Sequence, residues 1–373
     1  MNFALEVRMK RSFVRFLLIL SSLLSVVQAQ DSLRPAERAL NLTIDHTGLS
    51  FGNSLRHNGL RFNWSDDGIE EINGINVTLW KPGEDLSGTI NGLALGVVAP
   101  AAENINGFAF GTVAVLAKDG LTGISIGGLA AVSQGSMTGV NFGGLALVSK
   151  NDMFGANVGG LACVSDKNII GISYASAALV SRGDIVGCNL GGFALVSSGS
   201  IAGINFGGLA LVGRQGITGI NIGGLALVSE GSIEFLNLAG LAVVGLDGIT
   251  GITVAGAGIV SKRDIVGLNI TLGDLRNDKE GDGGSIKGIS FGGYRVRARE
   301  LVGINASILS TEAHNATGVM VGAYNRSTGT QAGISIGIFN HATELFGVQV
   351  GLVNYAENNP QFLRILPFLN LHF

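Results

Sequence analysis

Apolar and polar positions alternate along this chain in short bursts, and the bursts recur every 16 residues. The pattern is sharpest in residues 203–234, where GINFGGLALVGRQGIT is followed at once by GINIGGLALVSEGSIE. The unit reads Gly-φ-Asn-φ-Gly-Gly-Leu-Ala-Leu-Val-Ser-x-Gly/Asp-x-Ile-x, and its places are called first to sixteenth below. The first place falls at Gly123, Gly139, Gly155, Gly171, Gly187, Gly203, Gly219, Gly251 and Gly267, with Phe235 in the slot between Gly219 and Gly251. Looser copies begin at Gly74, Gly92 and Gly107, and again at Gly288, Gly303, Gly318, Gly333 and Gly347. A short fixed period is the mark of a solenoid or array and outranks any local reading.

Alternation with period two predicts half-buried strands. In the first half of the unit the second and fourth places are apolar around a polar third. In the second half the leucines at the seventh and ninth places flank an alanine. Read by hydrophobicity, the inward parity switches from even to odd across Gly-Gly, which predicts a corner there. The polar stretch from the eleventh to the fourteenth place predicts a second corner. Three glycines and many β-branched residues oppose helix. The expected fold is all-β, a β-solenoid of about 15–18 coils stacked at about 4.8 Å. Its inward columns are expected at the second, fourth, seventh, ninth and fifteenth places, so Leu209, Leu211, Leu225 and Leu227 should be buried. The alternative is an outer-membrane antiparallel β-barrel with one strand per repeat, since a spanning strand of about 11 residues and a tight turn fit in the unit. Against it, the two leucine columns would line the lumen, and 6% aromatic residues leave no girdles.

Around the array the composition changes. Residues 1–29 read as a secretory signal peptide, with Met9-Lys10-Arg11 opening a basic region, an apolar run from Phe13 to Val27 and a small-residue cleavage site at Ala29. Residues 30–85 are richer in charge and read as an N-terminal cap over the open edge of the first coil. The array then occupies 86–357, broken by an insertion at 272–284, LGDLRNDKEGDGG. Residues 358–373 end in Phe373 after alternating apolar places, which suits either a capping strand or a barrel insertion signal. Charged residues make up only 14% and the net charge is −3, so the chain is no electrostatic partner for nucleic acid.

Candidate chemistry is sparse. His46, His57, His314, His341 and His372 form no metal-ligand spacing with one another or with Cys. There is no P-loop and no G-x-S-x-G. The glycine-rich runs do not open helices, so no dinucleotide fold is implied. Asp278, Glu280 and Asp282 in the insertion bear a faint likeness to a calcium loop, without its flanking helices or distal glutamate. No enzyme, metal or cofactor is expected. The one regular polar feature is the third place, held by Asn141, Asn157, Asn189, Asn205, Asn221, Asn237 and Asn269. It is either a stacked amide ladder along the rod or a regular binding face for glycan, ice or a partner. Asn-x-Ser/Thr triplets at Asn41, Asn63, Asn76, Asn269, Asn305, Asn315 and Asn325 arise readily in such a composition. Cys163 and Cys188 lie on different strands, two coils apart, beyond disulfide reach, so two free, buried thiols are expected.

NGINVTLW at 73–80, the GINIGGLALVS copies and GVQVGLVNYAENNPQFLRILPFLNLHF at the end resemble a group of poorly characterised bacterial surface-repeat proteins. These share a signal peptide, tandem G-φ-x-φ-G-G-φ units and a short aromatic-ended tail. The resemblance implies an envelope or extracellular location, with an unknown surface or envelope partner and possible outer-membrane association. It implies no reaction.

Overall fold

The computed structural model describes residues 38–83, 86–277 and 284–373. The stretch 1–29, read above as a signal peptide, and residues 278–283 of the insertion lie outside the described residues. The chain is a β-solenoid of roughly 17 turns, 74% strand and without α-helix among the described residues. Contacts divide it into two units, one up to Lys118 and one from Asp119 to Phe373.

In the second unit the coils up to Asn277 carry a longer and a shorter strand, for example Ser200–Gly207 and Ala210–Gly213, and from Arg295 on the two run together into longer strands. Up to Asn277 each strand pairs in parallel with the same strand of the next coil in strict register; parallel pairing continues beyond, with one shift between Ala313 and Ala316. Asn205 lies beside Asn189 and Asn221, and Leu211 beside Leu195 and Leu227. Parallel pairing of equivalent residues is what a coil translated along its axis requires, and it excludes the antiparallel barrel. The register survives the insertion, because Gly267 pairs directly with Gly288. At the end, Ile365–His372 folds back antiparallel on the last coil.

The first unit uses the same device before the regular copies begin. Strands Thr47–Asn53, Arg56–Asn63, Glu71–Thr78 and Thr89–Gly96 stack in parallel register, and Arg38–Ile44 closes antiparallel over the first of them. Coil-type pairing therefore reaches back into the stretch that composition marks as different.

Inside and outside differ from the expectation drawn from hydrophobicity. The interior of the coil is formed by the third, fifth, ninth, eleventh and fifteenth places. In the coil from Gly203 these are Asn205, Gly207, Leu211, Gly213 and Ile217, all buried. Leu211 and Leu227 are fully buried, as expected, but Leu209 is 48% exposed and Leu225 46%. The second and fourth places, such as Ile204 and Phe206, also point outward. Parity does not switch at Gly-Gly; odd places face inward on both strands, and the seventh sits outside on the corner. Two glycines show why the corner needs them. A Cβ on Gly143 would lie 2.0 Å from the Ala146 carbonyl oxygen, and one on Gly144 1.8 Å from that of Gly128. At the first place the strand bends with φ near +111° at Gly203, a left-handed conformation that glycine adopts freely. The sixteenth and second places consequently both face outward on either side of the bend.

Candidate functional site

The asparagine column is internal. Asn141, Asn157, Asn189, Asn205, Asn221, Asn237 and Asn269 are all buried. A buried amide needs partners for its donors and its acceptor, and translation along the solenoid supplies them. The Nδ2 of each asparagine donates to the Oδ1 one coil on: Asn141 to Asn157, Asn189 to Asn205, Asn205 to Asn221 and Asn221 to Asn237, each at 3.0 Å. The ladder is interrupted where the third place is Ser173 or Thr253. There Asn157 Nδ2 and Asn189 Oδ1 lack partners, as does Asn237 Nδ2. Asn269, between Thr253 and Ser290, has neither amide atom bonded. A column sealed in the core presents no face to glycan, ice or partner.

Serines at the eleventh place add a second internal seam. Ser149 Oγ donates to the Gly135 carbonyl at 2.7 Å and Ser197 Oγ to that of Gly183 at 2.6 Å, tying each turn to the coil before. Toward the C-terminal end the ninth place changes from leucine to asparagine, and a new ladder runs from Asn325 to Asn340 (2.7 Å) and on to Asn354 (2.8 Å).

The first unit holds a feature that the sequence reading missed. Arg61 and Asp66 are 0% and 1% exposed and paired at 2.8 Å. Arg61 also donates to Asn76 and Asn53, both at 2.6 Å. Asp66 accepts further from Asn63, Asn76, Thr78 and the Ala101 backbone N–H. So many bonds on one carboxylate mark a structural centre: the Asp66 carboxylate is fully engaged, while Arg61 Nε and Asn63 Oδ1 are left without partners. The two charges come from RFNWSDDGIEE, and nothing in that stretch distinguishes them from solvated neighbours.

Of the glycosylation triplets, Asn63, Asn76, Asn269, Asn305 and Asn325 are buried and cannot receive a glycan in the folded chain. Both cysteines are free. Cys163 is buried, with Sγ 3.6 Å from Met153 Sδ, and burial pushes its thiol up to about 12. Cys188, at a second place, is exposed rather than buried, in line with the outward facing of that column.

No group of three His, Cys, Asp or Glu among the described residues could hold a metal ion. A cleft lined by Glu300, Val302, Asn315, Thr317 and Thr330 offers one carboxylate, an amide and two hydroxyls. That set can hold a polar group by hydrogen bonds but contains no acid–base pair. No helix among the described residues is long and apolar enough to cross a membrane. Compared with known proteins, the chain matches no family model, no curated protein and no solved structure.

The exterior is apolar in regular ranks. In the second unit the second and fourth places form two apolar ranks, among them Ile124, Phe142, Ile172, Ile204, Phe206, Ile252, Ile289 and Ile304. The corner adds Leu129, Leu145, Leu161, Phe193, Leu209, Leu225 and Leu241. Single exposed apolar residues are ordinary, but continuous patches above a few hundred Å² mark interaction surfaces.

Proposed function

We propose that the chain is exported and serves as a non-enzymatic structural or binding protein of the cell surface or envelope. The observation that carries this reading is the apolar exterior, repeated coil after coil, on a fold whose interior is consumed by its own stacking. The basic-then-apolar leader at 1–29 supports the address. A solenoid suits such a role because its area grows in proportion to coil number while each coil contacts only its neighbours. The test is processing and location. Mass spectrometry of the end peptide on protein from the envelope or medium should give Gln30 as the first residue. A chain retaining residues 1–29 and recovered only from the cytosol would overturn the reading.

A further inference from the structure

The distribution of charge around the coil is as ordered as that of apolar residues. Between Gly123 and Gly273 the charged residues are Lys150, Asp152, Asp166, Lys167, Arg182, Asp184, Arg214, Glu230, Glu234, Asp247, Lys262, Arg263 and Asp264. All but Glu234 occupy the twelfth to fourteenth places, the turn that follows the shorter strand. Several pair along that edge, Arg182 with Asp166 and Arg263 with Asp247. Following the coil from this edge, the chain passes the buried fifteenth and the outward sixteenth place, bends at the first place, runs through the ranks at two and four, and turns the leucine corner. It returns along the shorter strand, whose outward places are mostly alanine and valine, as in Ala210 and Val212. The ranks at two and four therefore lie across the coil from the charged edge, and the flank that joins them through the corner is also uncharged over these coils.

We infer that this face lies in the surface of a phospholipid bilayer, with the second, fourth and seventh places sunk among the acyl chains and the charged edge in water. The inference rests on the envelope reading above and names its partner. An element with one apolar and one charged side settles in the interfacial plane with its apolar face buried about 5–10 Å. From Ile124 to Val348 the ranks run roughly 70 Å at about 4.8 Å per coil, and a face four residues wide spans about 13 Å. That is roughly 900 Å², close to the ~800 Å² each partner contributes to a stable dimer. A second rigid copy laid on this face would cover it and leave the leucine corner and the alanine-valine flank in water. Acyl chains conform to a corner and cover all three in the coils from Gly123 to Gly273; beyond these the shorter strand carries Asp274, Arg276, Arg295 and Arg297 at its outward places, and there only the ranks at two and four enter.

Phe235 fits the same placement. It stands where every other regular copy has glycine, at φ 81°, and is 66% exposed on this face. A non-glycine residue held at such an angle is strained, and strain of this kind concentrates at functional positions. The charged edge balances to zero, six basic against six acidic residues, with Glu234 lying off it. Attraction to anionic lipid is therefore not the driving force, and binding should be indifferent to headgroup charge and salt.

Cys188 is a reporter already in place, exposed in the second-place rank while Cys163 is buried. All described residues lie beyond residue 29, so the protein is prepared without residues 1–29 and labelled at Cys188 with an environment-sensitive fluorophore. Phosphatidylcholine vesicles should shift the emission to the blue, and spin-labelled acyl chains should quench it. The same label on Arg214→Cys in a Cys188→Ser background should stay water-like. Flotation should be equal in vesicles with and without phosphatidylglycerol, and equal at low and high salt. The triple variant Ile204→Lys, Leu209→Lys, Ile220→Lys alters only side chains outside the core; it should keep its strand spectrum and float at least tenfold less. Folded protein that does not float, or floats only with anionic lipid at low salt, would overturn the inference. So would a lipid-free dimer in which the Cys188 label is already shielded, an outcome that assigns the face to a second copy. None of these results depends on whether the chain is exported, which the end-peptide measurement decides separately.

Discussion

Replacing Asn205 by alanine should cost about twice what the same replacement costs at Asn141. Asn205 sits within an unbroken run: it accepts from Asn189 and donates to Asn221. Its removal strands Asn189 Nδ2 and Asn221 Oδ1 in the core. Each orphaned buried group costs about 1–3 kcal/mol, so the pair costs about 2–6 kcal/mol. Asn141 begins a run and bonds only forward to Asn157, and its own Oδ1 has no partner. Its removal strands one atom, for about 1–3 kcal/mol. Both variants delete the same atoms from equally buried sites, so the cavity contribution cancels in the comparison. The reverse change tests the same logic. Ser173→Asn places an amide between Asn157 Nδ2 and Asn189 Oδ1, neither of which has a partner, and should gain about 1–3 kcal/mol from two new bonds. Urea unfolding followed by circular dichroism gives the global values. Hydrogen exchange in strand 200–207 gives the local one, which matters where coils are coupled only to neighbours. Equal losses at positions 141 and 205, or a less stable Ser173→Asn, would refute the ladder as the source of the energy.

Leu227→Asp should unfold its coil or cost several kcal/mol, because an unpaired charge enters the apolar column, while Leu225→Asp on the corner should change the unfolding free energy by no more than about 0.5 kcal/mol. In native protein at neutral pH Cys188 should react with a thiol reagent within minutes and Cys163 only after unfolding, since its thiol is held at about 12 by burial; two fast thiols would contradict the buried position of Cys163. Phe235→Gly should raise stability by about 0.5–1 kcal/mol, relief of left-handed strain outweighing the entropy of glycine, and an unchanged or lower melting temperature would count against that strain. Asp264 accepts from the Ser285 N–H at 2.8 Å, which holds its carboxyl below the usual range, with the Ser285 hydroxyl and Lys287 adding to the effect against partial burial. A depressed carboxyl stabilises the fold above its unfolded value and loses that contribution as pH falls through the folded value; the stability gap between parent and Asp264→Asn should therefore close below about pH 4 and remain open at pH 7.

The period, the strand character and both corners were legible because a fixed spacing constrains every coil alike. So was the burial of Leu211, Leu227 and the isoleucines at the fifteenth place. The facing of the second, fourth and seventh places was not, because hydrophobicity alone does not mark the inside of a coil whose polar side chains can pair with their own copies. A better signal was present in the small residues. Gly207 and Gly213 share parity with Asn205 and Leu211, and a narrow coil tolerates only small side chains where the two strands approach. The Gly143 Cβ that would meet the Ala146 carbonyl shows how little room there is. The Arg61–Asp66 centre left no trace in the sequence, since its partners Asn53, Asn76, Thr78 and Ala101 are gathered by the coil register and not by local spacing.

Placing asparagine inside and leucine outside inverts the usual division, and the repeat is what makes the inversion stable. In a chain of unique sequence, each buried amide needs a partner positioned for it alone, and a missed bond costs more than a made one returns. Here the partner is the same residue one coil away, so a single geometric solution serves Asn189, Asn205, Asn221 and Asn237 together. The apolar core then needs only the ninth and fifteenth places, and the remaining apolar residues are free to face outward. Translation treats them in the same way, turning the apolar residues at the second and fourth places into ranks of about 70 Å. The operation that satisfies the polar interior is thus the one that makes the exterior a continuous apolar surface. A face of that length, with no charge at its second and fourth places, is what a bilayer can cover.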